Sequence, residues 1–377
     1  MDDAQDGASC PSRRATTRPL SLDDMPSPPD LHDVACVIHL HSTHSDGTGT
    51  VPEIAAAARD AGVDAVLLTD HDTLEARKRG EERWHGSTLV LVGEEVSPPG
   101  KNHYLAFGID KVQERKGVGP AQICAGVTAA GGFGFAAHPF SRGSDRFRRW
   151  APGYPWTDLD CDGLTGIELW SYFNDTGERL RGAIDAVRFL TRPERFVAHP
   201  PPENLAAWDR LTRDRRVTAI GGLDAHQFGV RRRGRVLRLM GYRRSFRQLR
   251  THALCERPLQ RELEPDRDQI YDALREGRCY IAVDSLAPPA GFSYWAEGDG
   301  GTLAMGQEGQ AGDHTLRVRL PREANLRLVR NGELLSSTAG AELEHRIRGP
   351  GVYRVEARLD AFGRERTWIL SNPIYLR

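Results

Sequence analysis

The chain has 377 residues, a length that suggests one large domain followed by a small one. Apolar residues make up 39% and charged residues 27%, which is typical of a soluble globular protein. The formal net charge of −1 favours neither a nucleic-acid-binding protein nor an acidic tail. Because no apolar run is long enough to cross a bilayer, we expect no membrane partner.

The cysteines and the N-terminus indicate the compartment. The six cysteines are widely spaced and form no C-x-x-C pair: Cys10, Cys36, Cys124, Cys161, Cys255 and Cys279. This spacing predicts reduced, buried thiols in a cytoplasmic protein, and it disfavours a disulfide framework or a cysteine zinc site. Residues 1–30 are rich in Ser, Pro and Asp and lack the apolar region of a signal peptide, so they are predicted to be a disordered leader.

The first half of the chain alternates predicted strands and helices. Val37–Gly49 is predicted to be a buried strand that runs into a polar turn. A helix is predicted over 50–61, with Thr50 as a candidate N-cap and Gly62 as its end. A second buried strand, Val63–Leu68, follows at once. Strand, helix and strand with short links make a βαβ unit, which is the building block of a parallel sheet.

The alternation of predicted strands and helices continues to about residue 285 and is then replaced by strands alone. Further strands are predicted at 89–92, 103–107, 133–137, 164–169 and 217–220, and helical stretches at 121–130, 178–190, 205–213 and 266–277. This order predicts an α/β barrel or a layered sheet over residues 31–285. From 286 to 377, segments alternate apolar and polar residues between Gly and Asn turns. That pattern predicts a small antiparallel all-β, sandwich-like domain.

The first strand carries an H-x-H pair that could hold a metal. In an extended strand, His39 and His41 point to the same face with their Cα atoms about 6.6 Å apart, so both imidazoles can reach one ion. Asp46 adds a carboxylate in the following turn. Imidazole and carboxylate ligands suit Zn, Mn or Fe. An H-x-H pair alone is a weak signal, since it also arises by chance in ordinary strands.

Further ligand-type residues stand where other predicted strands end. These residues are His71, Glu95, His103, His138, Asp224 and His226. In α/β barrels and parallel sheets the chemistry collects at the carboxyl ends of the strands. We therefore expect these scattered residues to become neighbours around a metal cluster.

Five motifs contain these residues in chain order. They are H-x-H-x-x-x-S-D-G at 39–47, T-D-H at 69–71, G-x-E at 93–95, A-H-P at 137–139 and G-x-D-x-H at 222–226. Over residues 34–284 the set resembles the PHP (polymerase and histidinol phosphatase) superfamily of metal-dependent hydrolases. The trailing β module, which ends in W-x-x-S-N-P-I-Y at 368–375, is similar to the carbaryl-hydrolase-like branch of that superfamily.

The resemblance implies a distorted (β/α)7 barrel and two or three divalent ions, Zn, Mn or Fe. Carried over by motif, one ion is held by His39, His41, Glu95 and Asp224. A second is held by Glu95, His103 and His138, with Glu95 bridging. A third is held by Asp46, His71 and His226.

The resemblance also implies an activity. The first hypothesis is a phosphoesterase that acts on a small, anionic, phosphorylated or nucleotide-like substrate, with a metal-bridging hydroxide as nucleophile. A site His or Asp would protonate the leaving oxygen, and the candidates are His226, Asp46 and His71. The alternative is a carboxyl-ester, carbamate or amide hydrolase that uses the same metal site. A non-catalytic binding module is a third hypothesis.

Several assignments stay open at this point. Glu94 is an alternative to Glu95, and His199 lies in a second A-H-P sequence that competes with His138. Asp70 is a candidate to orient the His71 imidazole. His44 and Arg142 are candidate substrate contacts, or else a loop histidine and a surface salt-bridge arginine. Nine arginines and no acid lie between 228 and 250, which indicates either a solvated segment or a face that attracts phosphate or a nucleic-acid substrate.

Overall fold

The computed structural model describes residues 28–148, 151–227, 229–232, 235–238 and 240–377, with only the backbone described for 229–232 and 235–238. Almost all of the predicted leader, and part of the predicted arginine-rich segment, lie outside these residues. The fold is mixed α/β, with one large sheet and a β-rich C-terminal region. None of the helices in the described residues combines the length and the apolar character that a bilayer crossing requires.

The first elements follow the predicted alternation. In chain order they are β1 (His32–Ile38), α1 (Val51–Ala61), β2 (Ala65–Leu68), α2 (Glu75–Lys78), β3 (Arg83–His85), β4 (Thr88–Val92), β5 (Glu94–Val96), β6 (Tyr104–Phe107), α3 (Pro120–Ala129) and β7 (Phe133–Ala136). Helix α1 begins with a reciprocal capping box between Thr50 and Glu53 and ends at Gly62, whose φ of 71° favours glycine. The predicted bounds of this helix are confirmed.

The middle of the chain holds most of the helices. Its elements are β8 (Gly166–Ser171), α4 (Tyr172–Arg179), α5 (Ala183–Thr191), a 3-10 turn (Pro193–Arg195), α6 (Pro202–Asp214), β9 (Thr218–Gly222), β10 (Gly229–Arg232), β11 (Arg235–Arg238), α7 (Tyr242–Ser245), β12 (Arg250–Cys255), α8 (Leu263–Glu276) and β13 (Cys279–Ala282). The predicted helix over 178–190 is in fact two helices, because the chain breaks at Leu180–Gly182 between α4 and α5.

The remaining elements are strands. They are β14 (Ser293–Gly298), β15 (Gly301–Ala304), β16 (Glu308–Gly309), β17 (Asp313–Arg330), β18 (Glu333–Arg348), β19 (Gly351–Ala361), β20 (Arg364–Ser371) and β21 (Ile374–Leu376). Their pairings are antiparallel except for β16 with β21. Strand β20 also pairs with β13, so this region continues the large sheet. The domain boundary at 285 and the sandwich-like form stay predictions.

Two sheets position the site. In the large sheet, β1 lies between β12, which is antiparallel to it, and β2, which is parallel, and β4 follows β2 in parallel. The second sheet has the order β5-β6-β7-β8-β9. Strand β6 runs antiparallel to both of its neighbours, so the parallel alternation expected from the sequence is interrupted there.

The second sheet is joined to the large sheet at two places. The chain passes from β4 to β5 across the single residue Gly93. At the other side, Leu223 N–H donates to Ile38 O at 3.0 Å and His41 N–H donates to Ala225 O at 3.0 Å. These bonds join the end of β9 to the end of β1. The ends of the strands in both sheets therefore face one region.

At the start of β1, far from the site, a buried ion-pair network joins β1 to β12. On β12, His252 lies between Asp33 and Asp284, with Nδ1 at 2.8 Å from Asp33 Oδ1 and Nε2 at 3.2 Å from Asp284 Oδ1. Burial lowers the pKa of His252, but the two carboxylates outweigh it and raise that pKa to about 9. His252 therefore stays protonated in the folded protein well above the ordinary pKa of histidine.

This group predicts a pH dependence of stability. Because the folded pKa of His252 is about 9, above an unfolded value near 6.5, its contribution is complete below about pH 6.5 and is lost as pH rises through 9. Between those pH values we expect the free energy of unfolding of the parent protein to fall by about 3 kcal/mol, and we expect this fall to be absent in His252→Gln. Urea unfolding from pH 6 to 9.5 measures this, with His345→Gln as control. An unchanged pH profile in the His252 variant would contradict the assignment.

Candidate metal centre

All nine predicted ligands come together where strands of both sheets end. His39 and His41 follow β1, His71 follows β2, Glu95 lies in β5, His103 precedes β6, His138 follows β7, and Asp224 and His226 follow β9. Asp46 lies in the loop after β1. The ligand atoms of eight of them, all except His138, form three overlapping groups, and within each group every atom lies within 4.8 Å of the others. Residues 39 to 226 of the chain thus contribute to one centre.

Glu95 is at the middle of this centre. Its side chain is 1% exposed, and no lysine or arginine is among its ion-pair partners in the described residues. Five imidazoles lie within 3.3 Å of its oxygens: His39, His41 and His71 at Oε2, and His103 and His138 at Oε1. A carboxylate with both oxygens in use is suited to bridge two ions.

The first group corresponds to the first predicted site. Asp224 Oδ1 lies 3.3 Å from Nε2 of both His39 and His41, and Glu95 Oε2 lies 3.2 Å from the same two nitrogens. His41 is fully buried, yet neither of its ring nitrogens has a hydrogen-bond partner among the described residues. Two buried imidazoles and two carboxylates thus converge, and the His41 ring among them makes no hydrogen bond. Such a set of donor atoms fits a divalent cation.

The other two groups differ slightly from the predicted sets. The third predicted site, Asp46 with His71 and His226, is joined by His41. The second predicted site has His71 beside Glu95 and His103. His138 contacts Glu95 at 3.3 Å but lies outside the three groups. His71 and His41 therefore each lie between two groups, which the motifs alone did not indicate.

Backbone conformation at three ligands differs from the sequence-based expectation. Strand β1 ends at Ile38, and His39 has a φ of 64°, in the left-handed region. The prediction that His39 and His41 share a face because both lie in an extended strand is therefore wrong, although their ring centroids do lie 5.4 Å apart. His138 and Asp224 also have positive φ, 31° and 54°. Such strained residues concentrate at functional sites.

Glu168, on β8, supports two of the ligands and was missed by the sequence analysis. Its Oε1 lies 3.0 Å from His39 Nδ1, and its Oε2 accepts from His138 N–H at 2.7 Å. The side chain is fully buried. The available signal was an acid inside the otherwise apolar strand G-I-E-L-W-S. A carboxylate behind a ligating histidine fixes its ring orientation and tautomer.

Gly222 leaves the space that Glu168 occupies. A Cβ at this position would overlap Glu168 Oε1 and press on His39. Two further contacts hold ligands in place: Asn174 Nδ2 donates to Asp224 Oδ2 at 2.7 Å, and Ser97 Oγ lies 2.6 Å from His71 Nδ1. The overlap that a Cβ would make with Glu168 explains why the fifth motif has a glycine at position 222.

The structure distinguishes the alternatives left open by the sequence. Glu95 enters the centre, whereas Glu94 accepts from Gln113 N–H on the other face of β5. His199 lies 2.9 Å from Thr367 Oγ1, against β20, while His138 contacts Glu95. Asp70 accepts from Ser42 and Ser45 in the first motif and so holds that loop, and it is Ser97 that contacts the ring of His71.

The two predicted substrate contacts are not brought to the centre. His44 Nε2 lies 2.7 Å from Glu81 Oε2. The side chain of Arg142 is 75% exposed and lies 3.7 Å from Glu203. Neither residue lines the cavity over the centre. Each is instead paired with a nearby acid, which favours the alternatives of a loop histidine for His44 and a surface salt-bridge arginine for Arg142.

The charges of the centre hold its groups in unusual protonation states. Burial lowers the pKa of His41, but Asp224 and Glu95 raise it overall to about 9. Burial raises the pKa of Asp46, but His226, His41 and His71 lower it overall to about 2. Burial dominates at His71 and lowers its pKa to about 4. Asp46 therefore stays ionised near neutral pH, and His41 must release its proton before it can bind a metal ion.

A cavity of about 670 Å³ opens over the centre. Asp46, His71, Glu95, Asp224 and His226 form its floor, together with His103. On one side Tyr154 stacks on His103, with ring centroids 4.4 Å apart. The opposite side is formed by α4 and α5. The volume is typical of small-molecule sites.

No family model matches this chain, and no curated protein does. Among solved structures, it is similar to a two-domain protein of Bacteroides vulgatus that contains a predicted PHP-like metal-dependent phosphoesterase. The two share 16% identity over 92% of this chain and 97% of that one, with a TM-score of 0.44.

Two further solved structures are similar over about half of this chain. One, from Bifidobacterium adolescentis, is provisionally named a metal-dependent phosphoesterase (20% identity, 55% of this chain and 91% of that one, TM-score 0.32). The other is an amidohydrolase from Chromobacterium violaceum with bound sulfate and no metal (17% identity, 51% and 87%, TM-score 0.27). The carbaryl-hydrolase-like branch is not represented among these three.

Replacing Glu168 tests its positioning role. Glu168→Gln keeps the shape of the side chain but removes the charge that faces His39, so we expect metal to bind about 10- to 100-fold more weakly. Calorimetric titration with Zn²⁺ or Mn²⁺ measures the change, with the exposed Glu203→Gln as control. Equal affinities in the two variants would rule out the role of Glu168.

Replacing Gly222 tests the space for Glu168. Gly222→Ala should displace Glu168, lower the free energy of unfolding by about 1–3 kcal/mol and weaken metal binding. Gly182→Ala is the control, since a Cβ at 182 meets nothing within 4 Å. Thermal unfolding with and without added metal measures both effects. A Gly222 variant as stable as the Gly182 variant would show that the overlap is relieved at no cost.

Proposed function

We propose that this protein is a metal-dependent hydrolase that cleaves a small ester in the cavity over the centre. One observation carries the proposal: three groups of His, Asp and Glu ligand atoms overlap through the shared residues His41, His71 and Glu95, and most of their members line the floor of that cavity. A single structural ion would need only one such group. A shared bridge beneath an accessible cavity is the arrangement that multi-metal hydrolysis requires.

We propose two or three divalent ions, with Zn, Mn or Fe as the candidates for this donor set. The residues that would hold them are His39, His41, Glu95 and Asp224; Glu95, His71 and His103, with His138 in support; and Asp46, His71 and His226. When bound, such ions supply Lewis acidity and lower the pKa of a coordinated water.

The residues of the chain carry out the remaining tasks. Glu95, Asp224 and Asp46 hold negative charge in the floor and so fix where cations and the attacked group can lie. Asp46 and His71 are the most exposed of the nine, followed by His226, and Asp46 Oδ1 lies 3.1 Å from His226 Nε2. We propose that, when no ion occupies the group of Asp46, His71 and His226, the pair of Asp46 and His226, with His71, moves a proton to the leaving oxygen.

The bond that is cleaved is also a proposal. The motif resemblance favours a phosphoester of a small phosphorylated or nucleotide-like molecule. A specific observation favours the second candidate, a carboxyl ester, carbamate or amide: much of the cavity wall is apolar, and its described residues include no Lys or Arg. A phosphate dianion would therefore depend on the ions alone for neutralisation.

The finer fold and the location belong to the same proposal. We propose that β1, β2, β4–β5, β6, β7, β8 and β9 form a distorted seven-stranded barrel, which the hydrogen bonds between residues 223–225 and 38–41 support. A cytoplasmic location is supported by the five described cysteines, which are free and buried. We propose a small-molecule substrate and no nucleic acid or membrane partner.

Metal content and turnover test the proposal together. We expect His41→Ala to lose bound metal and at least about a thousandfold in kcat/KM, because it removes a ligand shared by two groups. His199→Ala is the matched control, an imidazole in the same A-H-P context but outside the centre. Elemental analysis is combined with assays on nitrophenyl phosphate, its bis ester and nitrophenyl acetate. Full activity of the His41 variant would overturn the proposal.

A further inference from the structure

The wall formed by α4 and α5 is apolar and directly adjoins the metal centre. Phe173 and Gly177 of α4, Leu180 after it, and Ala186, Phe189 and Leu190 of α5 line the cavity. Positions 173 and 177 of α4, and positions 186, 189 and 190 of α5, follow the spacing of one helix face, so each helix turns these residues to the same side. Asn174 ties this wall to the centre through its hydrogen bond to Asp224.

The side chains of the wall are held in place by one another and do not fill the cavity. Phe189 packs edge-to-face on Phe173, with ring centroids 5.9 Å apart, and on Phe196 at 5.5 Å, so the aromatic rings are fixed by one another. Protein interiors are close-packed, with few voids larger than a water molecule. A cavity of about 670 Å³ bounded by such side chains is therefore a site for an apolar group of a ligand.

The same wall disfavours a strongly polar substrate. Sugar hydroxyls placed against Phe173, Leu180 and Phe189 would lose their hydrogen bonds to water without gaining partners. Among the described lining residues, the polar side chains outside the floor are Thr48, Tyr154, Asn174 and Gln227, and none of them carries a positive charge. The polar end of a substrate is thus directed to the floor and the apolar end to the helices.

We propose that the α4–α5 wall is the specificity element of this protein, and that its substrate is an ester bearing an uncharged, ring-sized apolar group. The ring lies against Phe173, Leu180 and Phe189, and the ester bond lies over the metal centre. The part of this inference that concerns turnover rests on the proposed hydrolase function, whereas binding of the ring to the wall does not.

Helix α5 offers matched variants for a test. Ala186 faces the cavity and Val187, the next residue, is 59% exposed on the outer face. Ala186→Phe fills the space and Val187→Phe adds the same ring outside it. Leu190→Asn makes the wall polar without adding bulk, and Ile184→Asn makes the same kind of change at a position that is 70% exposed.

Binding is measured first, with indole as a neutral ring that has no metal-binding group. NMR titration of the full chain, with metal and after chelator treatment, gives the dissociation constant. We expect Ala186→Phe and Leu190→Asn each to weaken binding by about tenfold or more, and the two controls to leave it unchanged. Equal affinities in the wall and control variants, or no indole binding to the parent protein, would overturn the inference.

Turnover separates this inference from the proposed function. Benzyl acetate and benzyl phosphate supply a ring on an alkyl leaving group, and ethyl acetate and ethyl phosphate supply the same two kinds of bond without one. A higher kcat/KM for the ring-bearing member of each pair, lost in Ala186→Phe, supports the inference. Better turnover of the ringless esters overturns it and leaves the hydrolase standing. If indole binds and Ala186→Phe weakens its binding, but no ester is hydrolysed, the proposed hydrolase function is overturned and the apolar binding site is retained.

Discussion

A fully buried carboxylate surrounded by imidazoles is the constraint on which this structure depends. Burying the charge of Glu95 without compensation would be very costly. Burial raises its pKa, but the imidazoles of His39, His71 and His103 outweigh this effect and hold the pKa well below its ordinary value. The strands that carry the surrounding rings must end at one place for the carboxylate to be tolerated. Under the proposed function, cations bound at this centre would add to that stabilisation, so the stability of this end of the molecule and its chemistry would have the same physical origin.

The division of the cavity follows from the same arrangement. Strand ends and the loops after them provide the charged floor, because side chains there can turn inward after the sheet hydrogen bonds end. The helices α4 and α5, which follow β8 directly, provide the apolar wall. Under the proposed function, catalysis and substrate recognition would thus be carried by different parts of the chain, joined by the hydrogen bond from Asn174 to Asp224.

Much of the centre could be predicted from the sequence because its ligands are chemically distinctive and lie at strand ends. The alternation of strands and helices up to β9 and the caps of α1 were predictable for a similar reason, since short-range patterns determine them. Glu168 was not found, because a single acid in an apolar strand has no local signature of its partner 129 residues away. The positive φ of His39 and the reversed direction of β6 depend on tertiary contacts that no local pattern records.

The pairing of β20 with β13 makes the C-terminal strands more than an appendage. Residues 369–371 occupy the hydrogen-bonding edge that β13 would otherwise expose beside β12. Removing everything after residue 285 would leave that edge open to another chain, and unpaired edges of this kind invite self-association. A chain shortened in this way would therefore be prone to aggregate even with every candidate metal ligand intact, because β20 would no longer cover the edge of β13.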